Sequence, residues 1–208
     1  MSPHPPRSYR LGRRQTAIAR TRAKVLRAAR ELLAGKGDGE CTLDDVARRA
    51  GVTRMTVYNQ FKSRRGLLEA VFDSFAQGGE LPQRLGAAFS RGNPDEVLAG
   101  VIDAFASFWA AGRKWIRRVR ALGVLDPELG EAIEARNDRR RRAMRAVLER
   151  MGPRYEQAEL VGVLYALTSF ETFDTLAGPR ARLEDAASVV LQLARAYLKE
   201  VQRSSRPR

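Results

Sequence analysis

Apolar positions recur at helical spacing along almost the whole chain. Ile18, Val25, Ala29 and Leu32 lie seven, four and three residues apart, with Leu26 and Leu33 beside them. This predicts a helix over residues 15–35, stopped by Gly35 and Gly37. Thr42 followed by Asp45 has the form of a capping box, so a second helix is expected over 43–50 with Thr42 as its N-cap. Gly51 breaks it. Thr53 is placed to cap a short third helix reaching Tyr58 or Asn59. Ser63 opens a fourth, which carries Leu67, Leu68, Val71, Phe72 and Phe75 and ends near Gly78-Gly79.

The same period continues beyond that break. A short amphipathic segment is expected over 81–89. Asn93-Pro94 starts a strong helix to about 111, with Val97, Val101, Phe105, Phe108 and Trp109 on its apolar side. Gly112 interrupts it, and 115–122 resumes. Asp126-Pro127 opens a long helix to about 151, carrying Ile133, Met144, Val147, Leu148 and Met151 and stopped by Gly152-Pro153. Two further long helices are expected over 155–177 and 182–201, separated by Gly178-Pro179. No run alternates as a strand would. The pattern predicts an all-α chain of about nine helices with short connections.

Charge divides this helical string in two. The 208 residues carry 38 Lys and Arg against 24 Asp and Glu, a net of +14. Residues 1–77 hold 16 basic and 7 acidic side chains, whereas 78–208 hold 22 and 17. The smaller part therefore carries most of the excess, which points to a polyanionic partner there. Residues 1–14, with three prolines and four arginines and no period, read as a flexible basic arm or an ordinary disordered terminus. Three segments follow: the arm at 1–14, a basic head at 15–77 whose last helix leads onward, and a helical body at 78–208.

Residues 43–61, LDDVARRAGVTRMTVYNQF, carry the most specific pattern. A helix-turn-helix needs a small residue where its helices face each other, and Ala47 supplies it. Its tight turn favours glycine, and Gly51 follows four residues later. Val46, Val52 and Val57 are spaced to fill the small core between the helices, leaving a polar face for the major groove. Arg54 is the best donor to a guanine edge, with phosphate contact as the alternative. Met55 can pack on a thymine methyl or lean into the head.

These residues resemble a known family. T42-L43-D44-D45-V46-A47, A50-G51-V52-T53, T56-V57-Y58-N59-Q60-F61 and K62-S63-R64-R65-G66-L67-L68 look like the DNA-binding region of the TetR/AcrR family of bacterial transcriptional regulators. The resemblance implies a nine-helix subunit, a homodimer, an operator with approximate two-fold symmetry, and usually repression relieved by a small molecule. Carried over residue by residue, it implies base reading by Thr53, Arg54, Met55 and Thr56. It implies phosphate contacts from Thr42, Tyr58, Lys62 and Arg64, with Phe61 packing the head. An activator, or a regulator without an inducer, has the same sequence pattern.

In the body, the last two helices carry broad apolar stripes. Leu160, Leu164 and Leu167 on one, with Val190, Leu191, Ala194, Tyr197 and Leu198 on the other, are the expected dimer interface, which would form a four-helix seam; the alternative is that the stripes serve only the subunit's own core. Phe105, Phe108, Trp109 and Trp115, with Tyr165 and Phe170, form the candidate wall of a ligand pocket or simply fill the core. Glu171 and Asp174 interrupt an apolar helix. Pointing inward they would favour a cationic or hydrogen-bonding ligand; paired with Arg182 or another base they would not bear on a ligand. The run Arg139–Arg142 could touch DNA or an acidic ligand, but like Arg117, Arg118 and Arg120 it reads better as a solvated face, with Asp138 placed to pair with Arg142.

Composition removes several chemistries. The single His, His4 in a Pro-rich start, excludes a His-based metal site and a Ser-His-Asp triad. One cysteine, Cys41, excludes an internal disulfide or a cysteine-ligated zinc cluster and fits a reducing cytoplasm. Beside Leu43 it reads as a buried filler, with a thiol sensor as the alternative. No nucleophile–base pair or glycine-rich phosphate loop is recognisable, so no catalytic residue, metal or cofactor is expected. A nonspecific architectural DNA protein would differ by binding without sequence preference. No apolar stretch approaches a membrane span or a signal peptide, so a cytoplasmic protein without a membrane partner is expected.

Overall fold

The computed structural model describes residues 7–35, 41–155 and 157–204, of which 7–14 and 204 are described by backbone alone. Among them are eleven α-helices and two short 3-10 turns, and no strand. The chain divides into two compact units, residues 1–74 and 75–208.

The first unit contains α1 (Arg7–Ala34), α2 (Leu43–Ala50), α3 (Arg54–Phe61) and most of α4 (Arg64–Gly78). Helix α1 begins at Arg7, so the arm's residues 7–14 are helical; residues 1–6, with His4, lie outside the described residues. So does Gly37, one of the two expected stops of α1. Val25, Ala29 and Leu33, one turn apart, are fully buried, whereas Ile18 is exposed. Val46, Ala47, Val57 and Phe61 are buried from α2 and α3, and Leu67, Leu68 and Val71 from α4. Cys41 is fully buried among the residues of this small core, as a filler would be. Gly51 ends α2 at φ 66°, a left-handed conformation that glycine adopts without steric cost.

The second unit comprises α5 (Leu81–Phe89), α6 (Pro94–Ala111), α7 (Arg113–Leu125), α8 (Pro127–Met151), α9 (Ala158–Leu167), α10 (Phe170–Ala177) and α11 (Ala186–Ser204). Helix α6 is its centre, contacted by α5, α8, α10 and α11. It starts on Asn93, whose side chain accepts from the Asp95 amide at 2.9 Å, with Pro94 in its first turn. Asp126 and Pro127 start α8 in the same way. Val97, Leu98, Val101, Ile102 and Phe105 are buried on α6, and Met144, Val147 and Leu148 meet them from α8.

The structure corrects one element. The expected helix over 155–177 is two helices, broken at Thr168-Ser169. Ser169 adopts an extended backbone and its side chain accepts from the Thr172 amide at 3.1 Å, capping α10. Thr168 donates its hydroxyl to the Leu164 carbonyl at 2.8 Å, closing α9. The apolar stripe runs on through the break, so hydrophobic period alone could not show it.

Candidate nucleic-acid interface

Helix α3 is two turns long, and its sequence sorts cleanly between inside and outside. Val57 and Phe61, one turn apart, are its buried residues. Arg54, Met55, Tyr58 and Asn59 are exposed, Met55 by 63% and Tyr58 by 48%. That exposure decides between the two expectations for Met55: it stands out from the head. Burying Phe61 and Val57 stabilises the helix by roughly 1.5–3 kcal/mol each, enough to fix which face is displayed. The guanidinium of Arg22 lies 4.5 Å from the centre of the Phe61 ring and covers it.

Both ends of the turn are fixed by side chains. Thr42 accepts from the Asp45 amide at 3.1 Å and donates to the Asp45 carboxylate at 2.5 Å, which locks the start of α2. Thr53 accepts from the Thr56 amide at 3.2 Å and caps α3, its hydroxyl also 2.9 Å from that of Thr56. At the far end the Lys62 amide donates to the Tyr58 carbonyl at 2.7 Å, and Lys62 itself stands at φ 68° with its side chain exposed. Arg54 and Asp44 sit 3.7 Å apart on the surface, a contact weak enough to be exchanged for another partner.

The structure thus brings Thr53, Arg54, Met55, Thr56, Tyr58 and Lys62 onto α3 and its two caps. Thr42 and Arg64 are engaged elsewhere. The Thr42 hydroxyl serves the capping box, and Arg64 is half-buried with its Nε donating to the Cys41 carbonyl at 2.9 Å. Arg64 therefore ties the start of α4 to the residue before α2, a scaffolding contact.

A family model described as "Bacterial regulatory proteins, tetR family" matches residues 25–71, the span that holds this constellation. Over that span the chain is similar to the tetR family. Among characterised relatives, the transcriptional regulator AlkX of Mycobacterium tuberculosis is 46% identical over 55 residues, which is 26% of each chain. TtgW, an uncharacterised regulator of Pseudomonas putida, is 40% identical over 65 residues, 31% of this chain and 48% of its own. The chain thus matches between about a quarter and a half of these relatives' length. The fold extends the likeness. A TetR-like regulator from Rhodococcus sp. aligns with a TM-score of 0.61 at 21% identity, covering 86% of this chain and 96% of that one. NalD of Pseudomonas aeruginosa, a repressor of an efflux pump, aligns with a TM-score of 0.61 at 22% identity, over 86% and 96%.

The body places its expected residues differently. Phe105, Phe108, Trp109 and Phe170 are buried in one core cluster, with Trp115 and Tyr165 half-buried against it. Trp109 stacks on Phe105, lies tilted against Phe108 and meets Phe170 edge-on, and its indole donates to the Thr168 carbonyl at 3.0 Å. Glu171 and Asp174 do pair with bases, though these come from α7 and not from Arg182. Arg113 and Arg117 each reach Asp174 at 2.7 Å, and Arg120 holds Glu171. Desolvation pushes the Asp174 carboxyl up, but hydrogen bonds from Arg117 and Arg113 outweigh it and hold its pKa below the ordinary value.

Two expectations about surfaces are corrected. Leu160, Leu164, Val190, Ala194 and Leu198 are buried in the chain's own core, with Leu167, Leu191 and Tyr197 packed against it. The first five have no surface left for a partner, whereas Leu167, Leu191 and Tyr197 are half-buried and keep some. The exposed apolar residues on the same elements are Leu176, Val189 and Leu193, at 40–46% exposure. The arginine run on α8 is also not one solvated face: Asp138 pairs with Arg141 at 2.7 Å, and Arg140 is buried. Arg117 and Arg120, read as solvated, are the partners of Asp174 and Glu171. Among the described residues no three potential ligands cluster around a metal site, and no helix is long and apolar enough to cross a membrane.

Proposed function

We propose that the chain is a homodimeric, sequence-specific DNA-binding regulator, a repressor released from its operator by a small molecule held in the body. The observation that carries it is the outward face of α3. Arg54 and Met55 stand exposed at the start of a helix capped by Thr53, and Tyr58 and Lys62 follow on its last turn. In a major groove the first pair would read base edges, with Thr53 and Thr56 beside them. Tyr58 and Lys62 would hold phosphates and set register. The exposed Val189 and Leu193, one turn apart on α11, with Leu176 on α10, support a partner helix pair meeting there.

Selection of bound DNA from a random library, with a solution mass at micromolar protein, tests this reading. A motif with two-fold symmetry and a dimeric mass are the expected results; no enriched motif, or a monomer, would sink it. Arg54→Ala is expected to cost about 1–3 kcal/mol on the selected site and to relax its sequence preference. Lys62→Ala is expected to weaken selected and scrambled DNA alike and to lower the salt slope by about one.

A further inference from the structure

Arg140 is the one arginine of its run that points into the body. It is 4% exposed, on α8, and its Nη1 donates to the Thr168 carbonyl at 2.9 Å. That carbonyl stands at the α9–α10 break, and it already accepts from the Trp109 indole at 3.0 Å. The guanidinium carbon lies 4.2 Å from the centre of the Tyr165 ring and 5.7 Å from that of Trp109. Its faces are thus covered by aromatic π-systems. Its other two nitrogens, Nε and Nη2, are buried and make no hydrogen bond of good geometry, while the Tyr165 side chain lies close enough to stabilise the guanidinium charge.

Those two nitrogens lie on the same edge of the guanidinium, the fork that takes both oxygens of a carboxylate in parallel. A buried guanidinium normally meets a carboxylate or fills its donors with carbonyls. Here one donor reaches a carbonyl and the fork is left over. Glu171 acts on Arg140 only at a distance, because Arg120 holds it, and Arg120 itself repels the buried charge. Burial accordingly pushes the Arg140 pKa down from its ordinary value, against the opposing pull of Tyr165 and Glu171.

We infer that the Arg140 fork is an anion-recognising subsite inside the body, and that its ligand is an organic monocarboxylate with an apolar tail or ring. The rings of Trp109 and Tyr165, which stand beside the guanidinium, are the apolar neighbours that such a tail or ring would meet. A single charge fits better than a phosphate dianion, whose second charge would enter the interior without a counter-ion. This deepens the ligand-responsive reading above and rests on it.

The test uses the full chain with four probes: benzoate, octanoate, and their uncharged amides. At saturating concentration at least one acid is expected to raise the melting temperature by roughly 2–4 °C or more and to change tryptophan fluorescence. Its amide, matched in shape, is expected to bind at least about tenfold more weakly, the loss set by charge-assisted hydrogen bonds. Arg140→Gln abolishes the acid response, and Arg140→Lys, which keeps the charge without the fork, weakens it. Equal responses to acid and amide, no response to either acid, or an acid response that survives Arg140→Gln would each overturn the proposal. The acid–amide comparison is made on the unaltered protein, so a misfolded variant does not blunt it. A failed operator selection leaves the acid response standing, and a failed acid response leaves operator binding standing.

Discussion

Helices α3 and α8 use arginine in opposite ways. On α3, Arg54 stands on an exposed face above two buried apolar residues, Val57 and Phe61. On α8, Arg140 lies inside, with Val147 and Leu148 buried further along the same helix. The difference follows from how each helix is covered. A two-turn helix with one apolar edge keeps every charge outside, and its polar side chains are free to meet something else. A seven-turn helix contacted by α6, α7 and α9 has no single solvent face, so a run of four arginines falls partly inside and partly out. On α3 the arginine is displayed, whereas on α8 one arginine of the run is enclosed.

The largest test of this contrast removes the apolar base beneath the displayed face. Phe61→Ala should cost about 3–5 kcal/mol, the usual range for a large buried aromatic. Urea denaturation should show that loss, with specific and nonspecific DNA binding both lost as the head melts. If binding persists at wild-type strength with Phe61 gone, the displayed face does not depend on its base, and the contrast with α8 fails.

The same contrast explains what sequence could and could not reveal. The α2–turn–α3 unit is specified locally: Thr42 and Thr53 cap, Gly51 turns, and Ala47 and Val57 pack, all within a score of residues. Reading spacing is enough there. In the body, the side chain that matters is chosen by neighbours distant in the chain. Which of Arg139–Arg142 turns inward is set by Trp109 on α6 and by the carbonyl freed at Thr168, and neither is legible from the run itself. Ser169, three residues before Thr172, is the one local sign of that freed carbonyl, and the continuous stripe around it hid the sign. The seam residues show the same bias. Hydrophobic period selects the most apolar positions of the last helices, and those go to the chain's own core. The more modest Val189 and Leu193 remain outside.

A smaller effect is expected where body charges are paired. Asp174→Asn removes the carboxylate shared by Arg113 and Arg117 and should cost about 1–2 kcal/mol at neutral pH, discounted for the solvent that reaches the site. The sign of the pH dependence follows from the lowered pKa of Asp174. A carboxyl depressed on folding adds stability above its unfolded value, 3.8, and that stability is lost as pH falls through the folded value. The gap between wild type and variant should therefore be widest at neutral pH and should narrow below about pH 4. A constant gap in urea midpoints down to acid pH would show that the pairs do not hold the body together.

The smallest effect separates folding from recognition at one residue of the head. Lys62 occupies φ 68°, a region where an L side chain costs about 1–2 kcal/mol. Glycine avoids that cost but gives back about 0.5–1 kcal/mol through its freer unfolded chain. Lys62→Gly should then stabilise the head by about 0–1 kcal/mol while removing the cation from the last turn of α3. Lys62→Ala removes the same cation and keeps the backbone cost, so the two variants should bind DNA equally weakly and differ in melting temperature. Opposite signs for stability and affinity would mean that the lysine is held in a strained position for the charge it displays. If Lys62→Gly binds DNA as tightly as the unaltered chain, the strain serves the turn alone, and the displayed face ends at Tyr58.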